Sequence, residues 1–115
     1  MPQMLLIVEP LGQRAERGRA DGEVAYQRML DFAATLQAEG LLMGVNSLGT
    51  AARRLSRRDG AVQVLDGPFA EAKEMVGGYF LLDTDDPAVA LAWAARCPAA
   101  EWATVEVRGV GPCYT

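Results

Sequence analysis

Apolar and polar residues along this chain follow two periods, and these predict its elements. Residues 4–8, Met-Leu-Leu-Ile-Val, form an unbroken apolar run of strand length that Glu9-Pro10 ends. Residues 11–20 are polar, carry Gly and Arg, and read as a loop. Asp21 is then placed as the N-cap of a helix running to about residue 39, because Ala25, Met29, Phe32, Ala33 and Leu36 recur at helical spacing. Gly40 follows where a glycine is expected just past a helix end. Residues 41–47 return as a strand, with Gly44 marking a bulge or a close backbone approach. Residues 51–57 and 61–65 flank Arg58-Asp59-Gly60, and the Asp-Gly pair is a strong hairpin signal. The arginines of the first arm suit an exposed edge, where charge deters edge-to-edge pairing. Gly77-Gly78 leads into residues 79–82, a second near-continuous apolar strand. Asp86 and Pro87 open a helix over 87–96 as N-cap and first helical residue. Its expected core stripe is Ala90, Leu91, Ala94 and Cys97, with Trp93 on the border, and Pro98 ends it. Residues 104–108 alternate as a strand with Val105 and Val107 inward.

Strand, helix, strand, hairpin, strand, helix, strand is the split βαβ pattern of the ferredoxin-like α+β fold, with an inserted β-hairpin. The apolar strands 4–8 and 79–82 belong at the centre of the sheet. Two helices can cover only one sheet face, and an antiparallel sheet with one wet face should alternate apolar and polar residues. These two strands do not alternate. A second copy of the chain, packed sheet on sheet as a homodimer, is the simplest cover for the other face. The alternatives are a half-exposed sheet, or the hairpin or tail folded over it.

Composition narrows the function classes. At 115 residues one domain is expected, able to bury about two thirds of its unfolded surface without disulfide or metal staples. The net charge is −4, and the one basic cluster, Arg53, Arg54, Arg57 and Arg58, would point to both faces of its strand, which disfavours nucleic acid. No apolar run approaches the ~20 residues needed to span a bilayer, and no signal peptide is seen, so no membrane association is expected. Cys97 and Cys113, without a secretion signal, point to a reduced cytoplasmic protein. Histidine is absent, which removes the commonest general base, the usual transition-metal ligand, and Ser-His or Cys-His nucleophilic sites. No cofactor and no metal site is predicted.

The densest cluster of special residues is Asp66-Gly67-Pro68-Phe69-Ala70-Glu71-Ala72-Lys73-Glu74. Gly67 can take positive φ, Pro68 fixes φ, and Phe69 can pin the loop to the core. On these residues the chain resembles the YCII-related family in its DGPF branch, named for Asp66-Gly67-Pro68-Phe69. Ala72 stands where that branch commonly has threonine. Met4-Leu5-Leu6-Ile7, the run from Gly77 through Asp83, the run from Ala90 through Pro98, and Val105-Glu106-Val107-Arg108 extend the likeness over nearly the whole chain. The resemblance implies a ferredoxin-like fold and a homodimer of the dimeric α+β barrel type. It also implies an accessory or regulatory setting beside extracytoplasmic-function sigma factors, with biochemical function mostly unestablished. Broader members are suspected of holding a histidine–aspartate pair in a cleft; Asp66 matches the aspartate, and the histidine has no counterpart.

Three functions follow from these residues. The first is a small-molecule-binding or sensing module, its cleft between sheet and helices, rimmed by Asp66, Glu71, Lys73 and Tyr79, with Tyr26 as a further pocket residue. The second is an enzyme of proton-transfer or lyase type with Asp66 as base and Lys73 stabilising a developing anion. The third is a protein-interaction partner of a transcription factor. Asp66 could equally serve the turn alone, by accepting hydrogen bonds from the following backbone amides. Lys73 and Glu74 read more simply as a solvated pair. Asp83, Asp85 and Asp86 fit capping of the second helix better than metal ligation. Gly77-Gly78 lacks the spacing, lysine and following helix of a phosphate loop.

Overall fold

The first strand, β1 (Gln3–Pro10), buries every second residue. Gln3, Leu5, Ile7 and Glu9 lie inside, and Met4, Leu6 and Val8 are half-buried on the opposite face. This is a computed structural model, and it describes residues 1–69 and 71–114; Ala70 of the DGPF motif and Thr115 lie outside the described residues. β1 pairs antiparallel with β5 (Glu74–Leu82) on one side and β6 (Thr104–Gly109) on the other, and β2 (Leu42–Ser47) pairs with β5. The order β2-β5-β1-β6 places the two apolar strands in the centre, as expected. It is an antiparallel α+β arrangement compatible with a ferredoxin-like fold.

Two long helices, α2 (Arg19–Ala38) and α3 (Pro87–Arg96), cover one face. Phe32, Ala33 and Leu36 of α2, Ala90 and Ala94 of α3, and Cys97 just past its end close over Leu5, Ile7, Phe80 and Leu82. The Phe32 ring meets Phe80 edge to face, with centroids 5.2 Å apart. Asp86 caps α3 by accepting from the Ala88 N–H at 2.9 Å, and Pro87 takes the first helical position. Gly44 lies where the β2–β5 register shifts, and Gly40 adopts φ 72° past the end of α2.

Three expectations require correction. Residues 11–20 are not a loop: α1 (Gln13–Arg17) and the start of α2 occupy most of them. Gln, Arg, Ala and Glu are all good helix formers, and Gly18 at φ 81° supplies the one break. Asp21 is therefore not the N-cap but a first-turn residue, where its carboxylate complements the helix dipole. Leu91 is not core but 63% exposed, because Ala90, Ala94 and Cys97 already make the inward line and Leu91 falls one residue off it.

β3 (Arg53–Arg58) and β4 (Ala61–Asp66) form a separate two-stranded sheet, joined at Asp59 (φ 51°) and Gly60 (φ 77°). Nearly all of it is exposed, including Leu55, Val62, Val64 and Leu65. The hairpin projects from the body and helps give a radius of gyration of 16.0 Å, against about 13 Å for a compact chain of this length. The described residues span 47 × 41 × 17 Å, so the body is one sheet and one helical layer thick. Among the described residues no helix covers Met4, Leu6, Val8, Val76, Tyr79 and Leu81, which share the second face of the two central strands.

Candidate functional site

A cleft of about 1040 Å³ opens between α1, the first half of α2 and the ends of β1, β2 and β5. Its size is that of an ordinary ligand pocket. Ile7, Met29, Leu30, Val45 and Phe80 supply apolar wall, and Tyr26 and Trp102 supply aromatic surface.

Glu9 is the buried polar group at this site. The alternation that buries Leu5 and Ile7 carries Glu9 to the same face, with its side chain only 7% exposed. Arg14, on α1, meets it with two hydrogen bonds: Nε donates to Oε2 at 3.0 Å and Nη2 to Oε1 at 2.7 Å. The same guanidinium donates to the carbonyls of Leu48 at 2.7 Å and Gly77 at 3.2 Å. One side chain thus joins β1, the segment after β2, and β5. A carboxylate this buried is tolerated only with such partners.

The two glycines of β5 make the arrangement possible. A Cβ on Gly77 would stand 1.7 Å from Glu9 Oε1 and 2.9 Å from Arg14 Nη2. A Cβ on Gly78 would stand 2.8 Å from the backbone oxygen of Asn46. The β1–β5 register skips Gly77, so the strand bulges where the carboxylate passes. Gly77-Gly78 is therefore a close-approach pair.

Around Trp102 lies a second charged group. The guanidinium carbons of Arg17 and Arg28 lie 5.7 and 5.5 Å from its ring centroid. Arg28 also pairs with Glu101, which raises the arginine's pKa and holds the Glu101 carboxyl below the usual range, chiefly through their hydrogen bond. Gln13 Nε2 donates to the Trp102 carbonyl at 2.6 Å. Elsewhere, burial pushes the Cys97 thiol up, so it stays a protonated core residue.

The residues singled out in the sequence fall at different places. Tyr26 lines the cleft and is half exposed to it. Tyr79 lies in the same wall, but it alternates with the inward Phe80, so its ring belongs to the helix-free face, where its hydroxyl accepts from Asn46 Nδ2 at 2.8 Å. Asp66 does not line the cleft. It ends β4, is 72% exposed, and accepts from Arg53 Nε at 2.6 Å. Glu71 and Lys73 are both outside the cleft; Glu71 is exposed, while the Lys73 carbonyl accepts the Leu11 N–H at 3.0 Å. Phe69 stacks against Arg54, 3.9 Å from the ring centroid, and so pins the loop to the hairpin and not to the core. Among the described residues no three acidic, cysteine or histidine side chains gather as metal ligands. None of their helices is long and apolar enough to cross a membrane.

The YCII-related domain model matches residues 8–113. The chain belongs to the YCII-related family. The match begins one residue before Glu9 and spans the cleft, the glycine pair and the hairpin. No curated protein matches the chain. Within this YCII-related domain, Glu9 and Arg14 are the site residues that the sequence reading passed over. The signal for Glu9 was present, since it continues the odd-numbered register of Leu5 and Ile7. Arg14 had none, because its stretch reads as loop and two of its partners, the Leu48 and Gly77 carbonyls, are distant in sequence.

Proposed function

We propose that this YCII-related protein, in the DGPF branch of its family, is a homodimeric module that binds a small molecule and serves an accessory, regulatory role. The observation that carries the binding reading is the cleft itself, with a buried Glu9 carboxylate held by the half-buried Arg14 in a largely apolar wall. A thermal-shift screen of small molecules on the purified chain tests it. A binder should raise the melting temperature, and Tyr26→Ala and Leu30→Ala, both at exposed positions of α2, should weaken that binder without unfolding the protein. A broad library that shifts nothing sinks the reading.

The dimeric α+β barrel is supported by the helix-free face, where Met4, Leu6, Val8, Val76, Tyr79 and Leu81 form an apolar surface with polar Glu106 and Arg108 on the flanking strand. Leu6→Lys should turn a dimer into a monomer in sedimentation equilibrium. A wild-type monomer at micromolar concentration rules the dimer out.

A second reading, a protein-interaction partner in a sigma-factor setting, draws on the exposed Leu55, Val62, Val64 and Leu65 of the hairpin. Proton-transfer or lyase chemistry with Asp66 as base draws nothing from its placement, which is exposed, paired with Arg53 and away from the cleft.

A further inference from the structure

The charges that line the cleft do not balance. Arg14 is matched by Glu9, and Arg19 by Glu23 at 2.9 Å. Arg17, the third arginine of the lining, has no carboxylate within ion-pair distance among the described residues. Among the described residues its Nε and Nη1 are buried without a hydrogen-bond acceptor, and its guanidinium lies against the face of Trp102. The chain as a whole carries −4, yet this cleft carries one excess positive charge. Nε and Nη1 are closed off by protein, so an anion in the cleft would meet this guanidinium at Nη2 and answer its uncompensated charge.

The backbone beside Arg17 points the same way. Gly18 is the N-cap of the twenty-residue α2 and, being glycine, offers no side chain to the helix's first N–H groups. Gly18 and Arg19 both line the cleft, so the positive end of the α2 dipole reinforces Arg17. From there the lining runs along α2 through Gly22, whose Cβ position is open, to Tyr26, Met29 and Leu30. At 1.5 Å per residue, Tyr26 lies about 10 Å along the helix from Arg19.

We propose that the cleft takes a small organic carboxylate, its negative head at Arg17 and an apolar or aromatic body about 10 Å long against Tyr26, Met29, Leu30 and Val45. This rests on the cleft being a ligand site and names the class of ligand. A single excess positive charge suits a monoanion better than a phosphate dianion.

The test is calorimetric titration of the full chain with benzoate, indole-3-acetate and octanoate, each beside its amide. At least one acid should bind, about tenfold or more tightly than its amide. Arg17→Met should remove that preference by weakening the acid and leaving the amide unchanged. Added salt should weaken the acid alone. If Arg17→Met does not fold, Arg17→Lys, which keeps the charge and loses the fork, should retain part of the preference. Amides that bind as well as acids, or an acid indifferent to Arg17→Met, overturn the carboxylate head. The cleft reading then survives if Tyr26→Ala still weakens those ligands. If none of these compounds binds at millimolar concentration, the inference falls, and the broader screen decides the cleft separately.

Discussion

Two carboxylate–guanidinium pairs in this protein close to nearly the same shortest distance in contrasting surroundings. Glu9 and Arg14 meet at 2.7 Å, with the carboxylate side chain 7% exposed. Asp66 and Arg53 meet at 2.6 Å, with both side chains 72% exposed. Distance does not distinguish them; solvent does. Around Glu9 the medium is protein, the carboxylate is already desolvated, and loss of its partner leaves a buried charge. Around Asp66 water screens the pair, and holding two side chains in place offsets much of the attraction. The first pair joins two central strands and the segment after β2 beside a cleft. The second closes the base of a hairpin. The conspicuous motif therefore carries the weaker interaction, and an inconspicuous Glu-Pro step carries the stronger.

The largest effect expected comes from Gly77. Gly77→Ala places a Cβ where Glu9 Oε1 now lies, so the carboxylate must leave Arg14. A loss of about 3 kcal/mol is expected, typical of breaking a buried pair, measured by urea unfolding. In a Glu9→Ala background the same change should cost about 1 kcal/mol or less, because the obstructing oxygen is gone. Equal costs in both backgrounds would remove Glu9 as the reason for the glycine. Glu9→Gln alone should lose stability of the same order as Gly77→Ala.

Asp66→Asn is the contrasting case. Its expected cost is about 0–1 kcal/mol, smaller still in high salt, with cleft binders unaffected. A multi-kcal loss there, or abolished ligand binding, would return Asp66 to the centre of the protein.

The smallest effect lies at Arg28–Glu101. The Glu101 carboxyl is held below its ordinary value by its hydrogen bond to Arg28. The folded state therefore prefers the ionised form. Its contribution is fully present above the unfolded value of about 4.3 and fades as pH falls through the lower folded value. Wild type and Glu101→Gln should keep a constant, small stability difference from pH 8 to 6 and converge in acid. A difference that instead grows in acid contradicts the direction of this shift.

Much of the fold was legible because its signals are local. Asp86-Pro87 specifies a helix start by one hydrogen bond and one fixed φ, and Asp59-Gly60 specifies a turn by tolerance of positive φ. The unalternating strands, residues 4–8 and 79–82, sit at the sheet centre as their pattern demands, and among the described residues no helix packs on their second face. The candidate site was less legible. Tyr26 lines the cleft one residue off the apolar stripe of its helix, and Tyr79 borders it from β5 while alternation with Phe80 turns its ring toward the helix-free face.

By itself, then, the sequence determined the strands and the two long helices apart from the helical stretch 13–20, which two strands are central, and that one sheet face exceeds what two helices can cover. These follow from periodicity, caps and turns, which act over a few residues. Only the tertiary structure decided that Glu9 finds Arg14 across a loop-like stretch, that Gly77 yields space to their contact, and that Arg17 stands in the cleft without a carboxylate. The last two join residues far apart in the chain, and the first needs a helix turn that the local pattern did not show. They depend on strand register and on which groups lose water together, and neither is written in local pattern.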